Sequence, residues 1–294
     1  MKGLLLILFL SLGLIGQGQS DRWIEARGGH GFFIPHRNTL PQLLTGHTNF
    51  LELGYSARVD GSKAWHHGYK GPLKGISLFY MDMGNERELG DLIALYPHVT
   101  LPLAGTVDAG LMLRMGIGFA YVTKIYDRRE NMFNTAIGSH VNYNILMSLT
   151  YRKSVGRWVS SAGISMTHAS NAALQLPNLG VNMATADFTL GFRLNREHRP
   201  LLETEFPDVL PSSQFSLTLA LAMRQSDSFL DNLHGVQEVR AKWEKPLSDK
   251  LSYSLGADVI HNRATYIDIP PDSLSGPYFL QVGANAGLLL RFGT

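Results

Sequence analysis

The feature that most constrains this sequence is a two-residue alternation of apolar and polar side chains. It is clearest between Ala109 and Tyr121, where every second residue is large and apolar and those between are mostly small or charged. In a β-strand, alternate residues point to opposite faces, so the pattern gives one apolar and one polar face. Similar rows begin at Leu51, Ile76, Val141, Trp158, Ala184, Phe215, Val239, Leu251 and Tyr278. The pattern predicts about twelve antiparallel strands.

Long strands with one apolar and one polar face are typical of barrels that cross an outer membrane. The polar rows contain several arginines: Arg114, Arg152, Arg193, Arg224 and Arg291. The alternative is an antiparallel barrel in water with its apolar rows inside, but so many charged rows favour a sheet that closes around the charges. We therefore predict an all-β transmembrane antiparallel barrel of about twelve strands, within limits of about eight and fourteen. Residues 21–294 are expected to form this barrel as one domain.

The N-terminal segment and the composition indicate that the protein is exported. The first twenty residues resemble a cleaved signal peptide, with Lys2, an apolar run from Gly3 to Ile15, and then small and polar residues. The 26 basic and 24 acidic residues nearly balance, which argues against a nucleic-acid partner, because phosphate binding needs a basic face. The chain has no cysteine, which excludes disulfides and thiolate metal ligands. These features, with charged residues at only 17%, fit an outer-membrane barrel and also a periplasmic β-protein, and the alternation described above favours the bacterial outer membrane.

The lengths of the links predict a topology. The first strand is expected near Arg22–Phe33 and a weak fourth strand near Pro97–Ala104. If the first strand runs outward, short turns should face the periplasm and long loops the exterior. Short turns do occur at Gly105–Thr106, Lys153–Gly156 and Leu247–Ser248. Asp60–Lys74 and Glu197–Ser212 are longer than this scheme predicts. The seventh strand then ends at the outer leaflet with its apolar row towards lipid.

Two polar side chains stand in the apolar row of the seventh strand. His168 and Ser170 are two residues apart, so their α-carbons should lie about 6.6 Å apart on one face. An imidazole at that distance can take the proton of a serine hydroxyl and activate it as a nucleophile. The alternative is a polar pair at the membrane interface with no chemical role.

The segment THASNAALQLPNLG, residues 167–180, resembles the signature of the outer-membrane lipid A 3-O-deacylase (PagL) family, whose members are acyloxyacyl hydrolase-like: H-x-S-N, then a P-N pair and a glycine. The resemblance implies a barrel that removes an ester-linked acyl chain from lipid A, the membrane anchor of lipopolysaccharide, at the 3-O position. It implies His168 as general base, Ser170 as nucleophile, and Asn171 and Asn178 as site-shaping or oxyanion-supporting groups. It implies no cofactor. The best-known members are shorter and eight-stranded, so further strands are a departure.

A second departure concerns the third catalytic residue. The family's acid falls shortly after the glycine, where this chain has Asn182. An amide oxygen can accept a hydrogen bond from an imidazole N–H, but it does not stabilise the imidazolium by charge as a carboxylate does. Asp187 is the nearest acid, but alternation places it on the opposite face of its strand. The candidate catalytic set is therefore His168, Ser170 and Asn182.

The partner implied by the resemblance is lipid A in the outer leaflet, and a homodimer stays open. Four basic residues in loops are interpreted either as ligands of lipid A phosphates or as ordinary solvated charges: Arg37, Lys124, Arg128 and Arg129. Four histidines lack a spacing that predicts a metal site and are interpreted as solvated loop residues: His30, His36, His66 and His67. No metal is predicted. The alternative function is a non-enzymatic barrel that serves as a small channel or binding scaffold.

Overall fold

The computed structural model describes residues 20–195, 201, 212–225, 232–248, 251–262 and 280–290. The segment predicted to be a signal peptide lies outside these residues except for its last position. Within the described ranges, no helix is long and apolar enough to span a membrane. The chain forms two compact units, one of Met1–Asn171 with Leu179–Thr204 and the other of Ala172–Asn178 with Glu205–Thr294.

The first unit is a closed antiparallel barrel in which each strand pairs with the next and β1 pairs with β8. Its strands are β1 (Arg22–Phe33), β2 (Thr48–Arg58), β3 (Leu73–Asp82), β4 (Asp91–Gly105), β5 (Ala109–Val122), β6 (Val141–Val155), β7 (Trp158–Ser170) and β8 (Val181–Arg193). The predicted antiparallel barrel is therefore confirmed. It closes with eight strands, the lower limit of the expected range, rather than about twelve.

The outer wall of the barrel is apolar. One parity of each strand presents large side chains that are exposed, among them Leu51, Leu53, Leu78, Ile117, Met147, Ile164 and Leu190. A sheet can cross hydrocarbon only if its backbone groups are paired within the sheet, and closure through β1 and β8 meets that condition. The exposed apolar wall and the closed sheet together indicate that these eight strands span the membrane.

Buried ion pairs fill the middle of the lumen. The charged lumen cluster consists of Glu25, Arg27, Glu52, Arg114, Arg152 and Asp187, all at most 8% exposed. Arg27 pairs with Glu52 and Asp187, each at 2.9 Å. Arg114 pairs with Glu52 at 3.0 Å and with Glu25 at 2.6 Å. The three positive and three negative side chains compensate one another inside the barrel, where an unpaired charge would be costly.

Nearer the end of the barrel where β1 stops, the lumen is apolar. The apolar lumen core includes Phe33, Leu40, Leu43, Phe79, Met81, Leu92, Ala94, Tyr96 and Met183. This core explains why sequence analysis placed the start of β4 too late, at Pro97 instead of Asp91. In this part of β4 the inward residues are apolar as well as the outward ones, so the alternation that marks a strand is absent.

The loops follow the predicted topology. One end of the strands carries the loops 34–47, 83–90, 123–140 and 171–180. The opposite end carries links that include the turns 106–108 and 156–157. The link that was too long for a simple turn, residues 59–72, contains a short helix, α1 (Ala64–Gly68). His66 on this helix is buried rather than solvated, and burial lowers its pKa. Most of the other long link, Glu197–Ser212, lies outside the described residues.

The second unit contains a four-stranded antiparallel sheet in the order β12-β11-β10-β9. Its strands are β9 (Gln214–Gln225), β10 (Leu233–Pro246), β11 (Leu251–Asn262) and β12 (Leu280–Leu290). The alternation persists, with exposed rows such as Phe215, Leu217, Leu219 and Leu221. The predicted strands are thus present, but they form a sheet of their own. The single domain over residues 21–294 stays a prediction.

Candidate active site

The candidate site lies on the outer wall, at the end of β7. Ser165 and Thr167 point into the lumen and are buried, whereas Met166 on the other parity is 44% exposed. His168 and Ser170 share the parity of Met166 and are half-buried. The imidazole and the hydroxyl therefore stand on the lipid-facing side, at the end of the barrel that carries the long loops.

The side chain of His168 lies within hydrogen-bond distance of both other predicted catalytic side chains. Nε2 of His168 is 3.0 Å from Oγ of Ser170. His168 is directly opposite Asn182 in the β7–β8 pairing, and its Nδ1 is 2.7 Å from Oδ1 of Asn182. Asp187, rejected as the third member, faces the lumen and pairs with Arg27. The geometry is that of a nucleophile, a base and a residue that orients the base.

A fourth side chain, which sequence analysis did not assign to the site, continues this series. Nδ1 of His36 lies 2.8 Å from Nδ2 of Asn182, and Nε2 of His36 lies 2.9 Å from the backbone oxygen of Leu179. His36 belongs to the loop after β1, and that loop meets the start of β8 because β1 closes the barrel against β8. No local pattern in the sequence could indicate this contact.

Gly180 allows the loop before β8 to pass close to the imidazole. Its φ of +77° is in the left-handed region that favours glycine, and a Cβ at this position would lie 2.9 Å from Cε1 of His168. The backbone N–H of Gly180 donates to the oxygen of Ala136, at 2.9 Å, which ties this loop to the loop between β5 and β6. The glycine in the family signature therefore has a steric reason here.

The structure gives the two remaining predicted site residues different surroundings. Asn171 is buried, and its Nδ2 donates to Oγ of Ser139 at 2.7 Å, which anchors the end of β7. This contact agrees with a site-shaping role. Asn178 is half-buried in the loop between β7 and β8. An oxyanion-supporting role for either residue stays a prediction.

An apolar groove of about 670 Å³ runs along the outer wall below the site. Its lining includes Phe32, Met147, Ile164, Met166, Ala184 and Ala186. The two alanines of β8 pair directly with Met166 and Ile164 of β7. Their small side chains leave room between larger neighbours, and Met166 is two residues before His168 on β7.

The basic residues considered as phosphate ligands are all exposed and lie in loops at this end of the barrel: Arg37, Lys124, Arg128 and Arg129. The turn that carries two of them is held by Asp127, which accepts the backbone N–H groups of Glu130 at 2.9 Å and Arg129 at 2.8 Å. These bonds lower the pKa of Asp127. Across the described part of the chain, no group of three or more His, Asp or Glu side chains is placed to hold a metal ion.

Comparison with known proteins finds a family model similar to the barrel. A family model described as Lipid A 3-O-deacylase (PagL) matches residues 49–191, from the start of β2 nearly to the end of β8. The match includes His168, Ser170 and Asn182 and confirms the resemblance. With the exposed apolar wall, it assigns the protein to the bacterial outer membrane. No curated protein matches the chain.

Two solved structures are also similar to this chain. One is described as the crystal structure of the outer membrane enzyme PagL, with 19% identity and a TM-score of 0.38 over 57% of this chain and 97% of that chain. The other is the translocator domain of the autotransporter NalP from Neisseria meningitidis, with 11% identity and a TM-score of 0.21 over 96% of this chain and 81% of that chain.

Proposed function

We propose that this chain, whose barrel matches the model of the lipid A 3-O-deacylase (PagL) family, is an outer-membrane serine esterase that removes the 3-O-linked acyl chain of lipid A. One observation carries the proposal beyond the family match. Oγ of Ser170 lies 3.0 Å from Nε2 of His168, on the lipid-facing wall of the barrel. A nucleophile in that position meets an ester that enters from the bilayer rather than from the lumen.

The proposed reaction has two halves. Oγ of Ser170 attacks the acyl carbonyl carbon while Nε2 of His168 takes the hydroxyl proton. The ester C–O bond then breaks, and the sugar hydroxyl leaves with the proton from His168, so the acyl group is held as an ester of Ser170. Water, deprotonated by His168, attacks this acyl-enzyme and releases the fatty acid. The net change is one ester plus one water to one acid plus one alcohol.

Asn182 orients the base in this mechanism. Its Oδ1, 2.7 Å from Nδ1 of His168, accepts the N–H of the imidazole and leaves Nε2 free to accept the serine proton. The amide carries no charge, so the imidazolium formed in each half-reaction is less stabilised than beside a carboxylate. We therefore expect a working enzyme with a lower kcat than one with an acid in this position.

The groove below the site supports an acyl substrate. Its lining includes the apolar side chains of Phe32, Ile164, Met166 and the two alanines of β8, and Met166 is two residues before His168 on β7. An acyl chain that enters this groove exchanges lipid contacts for wall contacts and holds its ester near Ser170. Proximity of this kind supplies much of the rate enhancement in enzymes.

The filled lumen counts against the alternative of a small channel. The lumen of an eight-stranded barrel is just wide enough for side chains. Here Arg27, Glu52 and Tyr96 are at most 2% exposed, so water does not reach them along the axis. A conducting barrel of this size would need the charged lumen cluster to open.

We also propose that the chain forms a homodimer through its second unit. Within the described residues, the outer strands β9 and β12 of the four-stranded sheet pair on one side only. Open strand edges are unfavourable in hydrocarbon, and β12 of one copy next to β9 of another gives an antiparallel pair. Because the chain has no cysteine, Thr218→Cys with Asn285→Cys offers a clean crosslinking test. A crosslinked dimer is expected, and monomer alone would contradict the dimer.

The enzymatic proposal is tested by lipid A mass spectrometry on cells that produce the wild type or Ser170→Ala. The wild type should convert lipid A to a species that lacks one ester-linked acyl chain, and fragmentation should assign the loss to the 3-O position. Ser160→Ala is the matched control, because Ser160 is on the same strand and the same outer face but near its other end. Identical lipid A with the wild type and with Ser170→Ala would refute the proposal.

A further inference from the structure

We infer that His36 is a positioning residue, whose ring turns the amide of Asn182 so that its oxygen, and not its nitrogen, faces His168. The inference rests on the proposed esterase function and deepens it. His36 precedes the stretch that matches the family, residues 49–191, so the match assigns no role to it.

One group in this series has a fixed hydrogen-bonding role. The backbone oxygen of Leu179 only accepts hydrogen bonds, and Nε2 of His36 lies 2.9 Å from it. Nε2 of His36 must therefore carry a hydrogen and donate it. In a neutral imidazole the other nitrogen, Nδ1, is then a bare acceptor.

This assignment fixes the donor or acceptor role of each following atom in the series of contacts. The group 2.8 Å from Nδ1 of His36 has to be a donor, so it is the Nδ2 amine of Asn182. The Oδ1 atom of the same amide consequently faces Nδ1 of His168 and accepts its hydrogen. Nε2 of His168 is left as the acceptor for the hydroxyl of Ser170. One backbone carbonyl thus sets the direction of four consecutive hydrogen bonds.

The reversed amide would disable the base. With its NH₂ group towards His168, Asn182 would donate to Nδ1, and the imidazole hydrogen would move to Nε2, where it blocks acceptance of the serine proton. In the Ser-His-Asp proteases, replacement of the aspartate by asparagine lowers kcat by about 10⁴-fold through the wrong tautomer. A carboxylate has no such ambiguity, because both of its oxygens accept. An asparagine therefore needs a partner that distinguishes its two ends.

The neighbouring backbone holds His36 in reach of this amide. The N–H of Ile34 donates to the backbone oxygen of Asn182 at 2.7 Å, two residues before His36. This bond continues the β1–β8 pairing beyond the end of β1. The His36 ring is exposed, but both of its nitrogens have protein partners at hydrogen-bond distance.

The first test compares His36→Phe with the wild type on purified lipid A in detergent micelles. We expect kcat to fall about tenfold with KM unchanged, since loss of one directing hydrogen bond lets the amide populate its reversed orientation. His36→Gln, which restores an acceptor for Nδ2 of Asn182, should recover part of kcat. His67→Phe is the matched control, because Nε2 of His67 lies 2.8 Å from the backbone oxygen of Gly61, in the link at the opposite end of the barrel. It should leave kcat unchanged.

The second test separates positioning from a general structural role. In an Asn182→Glu background, His36→Phe should lower kcat less than about threefold, because a carboxylate offers oxygen at both ends. An equal loss in both backgrounds, or no loss in the wild-type background, would overturn the inference. Ser170→Ala distinguishes failure of the role inferred for His36 from failure of the proposed esterase function. If it abolishes turnover while His36→Phe has no effect, only the role of His36 fails; if it retains turnover, the proposed function fails.

Discussion

The barrel contains two clusters of polar side chains with opposite characters, one in the lumen and one at the rim. The charged lumen cluster has six ionic side chains that are almost fully buried. The rim cluster, Ser170, His168, Asn182 and His36, is neutral in our assignment and half-buried or exposed. One lies on the inward parity of the strands and the other mainly on the outward parity.

The two clusters depend on different properties of their hydrogen bonds. In the lumen, Arg27 binds two carboxylates at once. The loss of any one partner therefore leaves an unpaired charge in the low-dielectric interior. At the rim, each nitrogen or hydroxyl has one neighbour in the series, so what matters is the direction of each bond. The lumen cluster should therefore govern stability, and the rim cluster should govern turnover.

The largest effect should come from the base. His168→Phe removes the proton acceptor of Ser170, and we expect kcat to fall by roughly 10³-fold or more. The thermal unfolding of the barrel in detergent should change little, because His168 lies on the outer wall. Turnover is followed by release of fatty acid from lipid A. Loss of the fold together with the activity would contradict the assignment of turnover to the rim cluster and stability to the lumen cluster.

A comparable effect, but on stability, is expected from the lumen. Arg27→Leu leaves Glu52 and Asp187 without their shared cation and should destabilise the barrel by about 3–5 kcal/mol. Urea unfolding in lipid vesicles, followed by tryptophan fluorescence, measures the change. Any protein that still folds should retain kcat within a few fold. A large loss of kcat in the folded fraction would show that the two clusters are coupled.

A smaller effect, in the opposite direction, is expected from Asn182→Glu. A carboxylate opposite His168 stabilises the imidazolium, and kcat should rise about tenfold. Asp187→Asn provides the contrast, since it changes an acid on the same strand that faces the lumen, and it should alter stability rather than kcat. Unchanged or lower kcat in Asn182→Glu would mean that the amide is already the better partner in this site.

The smallest effect should be seen in the groove. Ala186→Phe fills part of its volume, and we expect kcat/KM for long acyl chains to fall about threefold to tenfold, with short-chain esters affected less. The control is Ala162→Phe, an exposed alanine on β7 outside the lining of the groove. Equal losses for both variants, or for both chain lengths, would argue that the acyl chain lies elsewhere.

Much of this arrangement follows from local patterns. The bounds of β1, the outward rows and the shared face of His168 and Ser170 follow from alternation, because strand geometry places every second residue on one side. Opposite parity similarly separates Asp187 from the site. The start of β4 could not be located in the same way, since an apolar lumen core beside an apolar wall removes the alternation.

The sequence by itself determined that the chain forms long two-faced strands and that a hydroxyl and an imidazole share one of the apolar faces. Only the tertiary structure decided that the sheet closes after eight strands and that His36 reaches Asn182. The physical reason is distance along the chain. A face is set by neighbours two residues apart, whereas closure and the His36 contact depend on β1 and β8, which lie far apart in the sequence and pair only in the finished barrel.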